Sequence, residues 1–129
     1  MKLTDKAKGL IDGKNFASVA TLMPDGSPQV APVWVDRDGD TIILNATRSR
    51  QRTMNVKRDQ RVAICIFDQN NPYSNVSIRG KVVNITEEGG EEHIDKMNMK
   101  YNGTPKYAWH NPKDPRVLIS VEAKHIHEM

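Results

Sequence analysis

The sequence predicts a mainly β fold of the α+β class: six antiparallel strands closing into a small barrel, with two or three short helices. Three observations predict it. Short runs rich in apolar and β-branched residues recur along the chain, each bounded by turn-forming residues. Only brief segments carry the helical period. No repeat or linker interrupts the 129 residues, so residues 1–129 read as one domain around one core. Closure is expected because consecutive short strands would otherwise leave exposed edges.

The elements follow in order. Thr4 can cap a short helix in which Ala7, Leu10 and Ile11 share a face. "FASVATLM" (16–23) reads as a strand, "PDGS" (24–27) as a turn, and "PQVAPVWV" (28–35) as the return strand. Pro28 and Pro32 demote that strand towards an edge. "DRDGD" (36–40) is a second turn and "TIILNA" (41–46) a third strand. Thr47 or Ser49 can cap the helix that follows. "RVAICIF" (61–67) is a nearly continuous apolar strand, expected to be buried on both faces or close to it, and "DQNNPY" (68–73) is a loop. "SNVSIRGKVVNI" (74–85) is a long strand with Gly80 at a bulge or close approach. From Glu87 to Tyr101 the pattern is helical, with Ile94, Met97 and Tyr101 on one face. "NGTPKYAWHNPKDP" (102–115) is irregular and "RVLISVEA" (116–123) is the last strand.

Composition limits the function classes. Hydrophobic residues make up 37% and charged residues 27%, which suits a folded chain with a wet surface. No apolar segment approaches the roughly 18 residues of a membrane span. The N-terminus lacks a signal-peptide core, and the single Cys65 cannot form an internal disulfide. The cytoplasm is the expected compartment, with no membrane partner. Six strands enclose little volume, so a ligand is expected outside the barrel or between two copies.

The charge is locally concentrated. Six of the nineteen basic residues lie between positions 48 and 61, in and beside "TRSRQRTMNVKRD". A solvated helix face, a phosphate site at a helix N-terminus and a nucleic-acid contact all fit that spacing. Arg50 and Arg52 lie near the helix start, where guanidinium groups can grip phosphate oxygens, with the hydroxyls of Thr47 and Ser49 just before. Nucleic acid binding lacks support elsewhere. Aromatic residues are 5% of the chain, and "SIRGKVVNI" lacks the aromatic pair of an RNA-binding strand.

No metal site or nucleophile motif is evident. His125 and His127 share a strand face but read as an exposed tail. His93 and His110 have no ligand partner nearby in sequence. Cys65 reads as an inert core thiol. Trp34 and Trp109 fit core, interface or ligand contacts, and no acid–base pair stands out.

"VATLMPDGSPQVAPVWV", "DGDTIILNATRSRQRTMNVKRDQRVAICI", "YSNVSIRGKVVNI" and "RVLISVEAKHI" together resemble the flavin- and deazaflavin-binding split β-barrel proteins, the pyridoxamine 5′-phosphate oxidase-like superfamily. The chain is most similar to the short coenzyme F420-dependent oxidoreductases of that superfamily. The D-G-x-P hairpin leading into P-V-W and the R-x-[KR]-x-x-N helix start are the most specific features. The resemblance implies a homodimer with two equivalent cofactor sites at the subunit interface. It implies that Thr47, Ser49, Arg50 and Arg52 hold the phosphate of F420, or alternatively FMN. The ring would lie against Val30, Ala31, Pro32, Val33 and Asn45. Arg79 and Gly80 match the bulged strand near the cofactor, and Trp109 falls where a partner chain closes the site.

Two departures accompany the match. Arg52 stands where many F420-binding relatives carry Lys. The substrate-binding segment of true pyridoxamine phosphate oxidases is not visible, so vitamin B6 oxidation is not expected. The expected function is hydride transfer between the cofactor and a small organic acceptor, without nucleic acid. A carrier or storage module without turnover, and a nucleic-acid-binding barrel, are the alternatives. Arg48, Lys57, Arg58 and Arg61 would extend the basic surface along a long acidic ligand, which favours F420 over FMN.

Overall fold

The computed structural model describes residues 1–129. Its elements run α1 (Asp5–Asp12), β1 (Ala17–Leu22), β2 (Pro28–Val33), β3 (Asp36–Asp38), β4 (Thr41–Thr47), α2 (Gln51–Arg58), β5 (Arg61–Asp68), β6 (Asn71–Thr86), α3 (Gly90–Asn102) and β7 (Arg116–Glu128). The seven strands form one antiparallel sheet in the order β2-β1-β5-β6-β7-β4-β3. β2 and β3 stand at opposite ends of that order, yet only Trp34 and Val35 separate them in the chain. The sheet must therefore curl until its two edges come together. That is the expected split barrel, with seven strands rather than six.

Alternating side chains fill the interior. Val19, Ile42, Leu44, Ile64, Ile78, Ile119 and Val121 all point inward and are almost fully buried. The Thr4 hydroxyl accepts from the Ala7 N–H (3.1 Å) and starts α1, whose Ala7, Leu10 and Ile11 join the same core. The seam is closed by the end of α3. The Val35 N–H donates to the Tyr101 hydroxyl (3.1 Å), which donates in turn to the Asn15 carbonyl (2.6 Å). Lys100 Nζ donates to the carbonyls of Ile11 (2.6 Å) and Val35 (3.0 Å). Ile94, Met97 and Tyr101 are buried on one face of α3, as their spacing predicts.

Gly80 sits where the β6–β7 register shifts, and a Cβ there would lie 2.6 Å from the Glu122 carbonyl oxygen. Only a glycine lets the two backbones approach so closely. No helix is long and apolar enough to cross a membrane.

Several expected boundaries differ. The seventh strand, β3, lies in the segment read as a turn; its charged residues suit an edge strand, and only Gly39 and Asp40 turn the chain into β4. β5 is not buried on both faces: Val62, Ile64 and Ile66 point inward, whereas Arg61 and Ala63 are exposed and Cys65 is half-buried. The apolar run arises because the outward positions Ala63, Cys65 and Phe67 are themselves apolar, not because both faces are fully covered. β6 begins at Asn71, so the expected loop shrinks to a tight hairpin. β7 continues to Glu128, pairing His125 with Arg79 and His127 with Ser77; these histidines lie in a strand, not in a tail.

Candidate functional site

The β4–β7 ladder sets Thr47 beside Arg116, and α2 leaves the barrel just after Thr47. The N-cap of α2 is Arg50, not Thr47 or Ser49, and no side chain caps the helix. Ser49 is diverted to Asp114: its hydroxyl donates to Oδ2 at 2.6 Å and its N–H to Oδ1 at 3.0 Å. The Thr47 carbonyl accepts from Thr53 Oγ1 at 2.8 Å. An arginine has no oxygen to offer the first-turn N–H groups, so this end of α2 keeps donors and partial positive charge suited to an anion.

Beside it lies a cleft of about 470 Å³, lined by Pro32, Val33, Trp34, Asn45, Arg52, Tyr107, Trp109 and Arg116 among others. No aspartate or glutamate is among its lining residues. The Arg52 Nε is buried and has no hydrogen-bond partner. Burial, then the neighbouring Arg50 and Arg116, push the Arg52 guanidinium pKa down from its ordinary value. Arg116 is 9% exposed; it donates from Nη2 to the Tyr107 hydroxyl (3.0 Å) and lies over the Tyr107 ring at 4.7 Å. Two arginines thus share a cleft whose lining carries no carboxylate.

Aromatic rings wall one side. Trp34 stacks on Tyr101 with centroids 5.0 Å apart and planes at 4°, and meets Tyr107 edge-on at 6.2 Å. Trp109, 74% exposed, stands edge-on to Tyr107 at 5.7 Å. The loop carrying both is pinned to α3 by His110, whose Nδ1 lies 2.7 Å from Glu91 Oε1 and whose Nε2 lies 2.7 Å from Asp95 Oδ1. Those two carboxylates push the His110 pKa up.

Of the residues singled out from sequence, Pro32, Val33, Asn45, Arg52 and Trp109 come together in this cleft. Val30 and Ala31 lie further along β2, with Val30 67% exposed, and Arg50 is exposed at the helix start. Arg79 and Gly80 are elsewhere, in a second cleft of about 490 Å³ with Thr21, Arg61, Lys124 and His125. The extended basic surface is partly neutralised, while Lys57 and Arg58 stay exposed without an acidic partner. Arg48 pairs with Glu87 (2.7 Å), Arg61 pairs with Asp59 (2.7 Å), and Arg58 donates to the Leu22 carbonyl. The asparagine of the R-x-R-x-x-N pattern, Asn55, is fully buried and donates to Thr21 Oγ1 (3.0 Å), tying α2 to β1.

Sequence reasoning missed Arg116, Asp36 and the partners of His93. Arg116 opens a strand and carries no local signal; only the β4–β7 register brings it to the cleft.

The sequence profile described as pyridoxamine 5′-phosphate oxidase matches residues 3–129. No protein with a curated description matches significantly. Among solved structures, one named F420 reductase is 28% identical, with 98% of this chain and 100% of that chain covered and a TM-score of 0.84. HupZ of Group A Streptococcus is 23% identical over 98% of this chain and 94% of its own, with a TM-score of 0.70. General stress protein 26 of Bacillus anthracis is 15% identical over 95% and 90%, with a TM-score of 0.68. The last two share the fold.

Proposed function

Because the chain belongs to the pyridoxamine 5′-phosphate oxidase family, we propose that it is an oxidoreductase moving a hydride between coenzyme F420, or alternatively FMN, and a small organic acceptor. The cofactor would occupy the cleft beside α2, closed by a second copy of the chain. The carrying observation is the pair Arg52 and Arg116, which line an aromatic cleft that holds no carboxylate. A half-buried arginine whose Nε is buried and unpartnered is costly unless an anion completes it. Both cofactors bring a phosphate and a planar ring, and the cleft offers cationic donors and aromatic walls to match. The 28% identity to a protein named F420 reductase favours F420.

When bound, the cofactor's ring supplies the hydride chemistry. The chain's own residues bind, orient and exclude water. Arg52 and the uncapped N–H groups of α2 hold the anionic end, while Trp34, Tyr107 and Trp109 wall the ring from solvent. The exposed Val30 on β2 and the exposed Trp109 are apolar surfaces that a second copy would cover.

No aspartate, glutamate or histidine lines the cleft, which favours a second reading: a cofactor carrier without turnover. Two measurements separate the readings. Fluorescence titration with F420 and with FMN tests binding, and failure of both at tens of micromolar sinks the proposal. Consumption of reduced F420 with a panel of acceptors then divides enzyme from carrier. Light scattering that finds a lone 14.6 kDa chain with cofactor tightly bound refutes the homodimer.

A further inference from the structure

Three polar side chains distant in sequence meet beside the cleft: Asp36 on β3, Asn45 on β4 and His93 on α3. Their proton arrangement follows from their partners. Burial raises the Asp36 pKa, but hydrogen bonds from His93, the Arg37 N–H and Lys96 hold its carboxyl well below the usual carboxylate range. An ionised carboxylate only accepts, so the ring nitrogen facing it carries the proton: His93 Nε2 donates to Asp36 Oδ2 at 3.0 Å. Nδ1 on the other side of the ring accepts from Asn45 Nδ2 at 3.0 Å. The other N–H of the same amide goes to the Gly90 carbonyl, also at 3.0 Å.

Both Asn45 donors are thereby used. Turning the amide over would set its oxygen against both the Gly90 carbonyl oxygen and the Nδ1 lone pair of His93, so the two partners hold its orientation together. Position 90 is itself fixed by packing: a Cβ there would lie 2.5 Å from the Arg116 carbonyl oxygen. Asn45 is 9% exposed and lines the cleft, and its Oδ1 is buried with no partner. A buried acceptor left unmade calls for a donor from whatever fills the space.

We propose that Asp36, His93 and Asn45 form a positioning relay that fixes Asn45 Oδ1 as an acceptor for the cleft, so that the site selects a ligand whose ring edge carries an N–H donor. This rests on reading the cleft as a flavin or deazaflavin site. Both ring systems carry a single imide N–H flanked by two carbonyls. A flanking carbonyl offered to Oδ1 would set acceptor against acceptor, so the relay orients the ring as well as selecting it. Asp36 and His93 act only through Asn45 and are positioning residues.

The test compares binding of FMN with binding of FMN methylated at the imide nitrogen, by fluorescence titration. In the natural protein the parent compound should bind about tenfold or more tightly, the worth of a buried acceptor left unpaired. His93→Phe keeps a planar ring but cannot accept from Asn45, and Asp36→Asn no longer dictates the tautomer. In both variants the preference should shrink several-fold, whereas discrimination due to methyl bulk alone would persist. Equal binding of the two compounds by the natural protein, or an unchanged preference in a folded variant, overturns the relay while leaving the cofactor reading intact. If neither compound nor F420 binds, the cofactor reading falls and this inference falls with it.

Discussion

Replacing Arg52 with methionine should weaken ligand binding and strengthen the empty fold at once. The Nε of Arg52 is buried without a partner, and Arg50 and Arg116 add like charge nearby. An unmade buried donor costs about 1–3 kcal/mol. Arg52→Met removes that cost while keeping an apolar stem in place, so the ligand-free protein should gain about 1–2 kcal/mol. For a domain of this size that is a rise in Tm of about 4 °C per kcal/mol. In the proposed complex the same guanidinium would donate to an anion, and a charge-assisted hydrogen bond contributes about 1.5–3 kcal/mol, or roughly tenfold to a hundredfold in Kd. Thermal melts without ligand, paired with fluorescence titration of F420 and FMN, read both effects. A lower ligand-free Tm with unchanged affinity would show that Arg52 is structural and would refute the reasoning.

Other expectations concern the frame around the cleft. His110 has a raised folded-state pKa, so its contribution to stability should be fully present below the unfolded value of about 6.5 and fade as pH rises through the folded value. Neutral imidazole can donate to only one of Glu91 and Asp95, so Trp109 fluorescence should report loosening of the loop over that interval, and His110→Gln should abolish the transition. Gly80→Ala should cost about 2–4 kcal/mol in a denaturant melt, because its Cβ would meet the Glu122 backbone rather than a side chain that can move aside. Asn55→Ala should cost about 1–3 kcal/mol, leaving Thr21 with a lost partner inside the α2–β1 contact; a melt unchanged within error would show that Asn55 does not anchor α2.

What the sequence made legible was local. Thr4 announced a cap, the spacing of Ile94, Met97 and Tyr101 announced a helix face, and Gly80 announced a close approach; each signal is carried by a few neighbouring residues. β3 escaped notice because an edge strand of charged residues looks like the turn that follows it. β7 ran past its expected end because its outward positions, His125 and His127, are polar on a face that packing does not constrain. The cleft was only half legible. Arg52 sits in a pattern that can be read along the chain, whereas Arg116, Asp36 and His93 reach the site through strand register and the docking of α3. Charge beside α2 was legible only in part: Arg48 and Arg61, which flank the helix, are matched to acids, one of them on a distant segment, which no reading of the basic run alone reveals.

The β4–β7 ladder has a consequence for the order of folding. Thr47 meets Arg116 only when the last strand docks against one formed early in the chain, and the Arg48 N–H bonds the Pro115 carbonyl at the same junction. Such distant pairings form slowly, since loop closure must precede any gain from contact. Hairpins such as β1–β2 and β5–β6 can assemble from neighbouring segments, but the corner that brings Arg52 to Arg116 has no earlier version of itself. A ligand that needs Arg52 and Arg116 together therefore cannot template the barrel; it can only slow the unfolding of a barrel already complete.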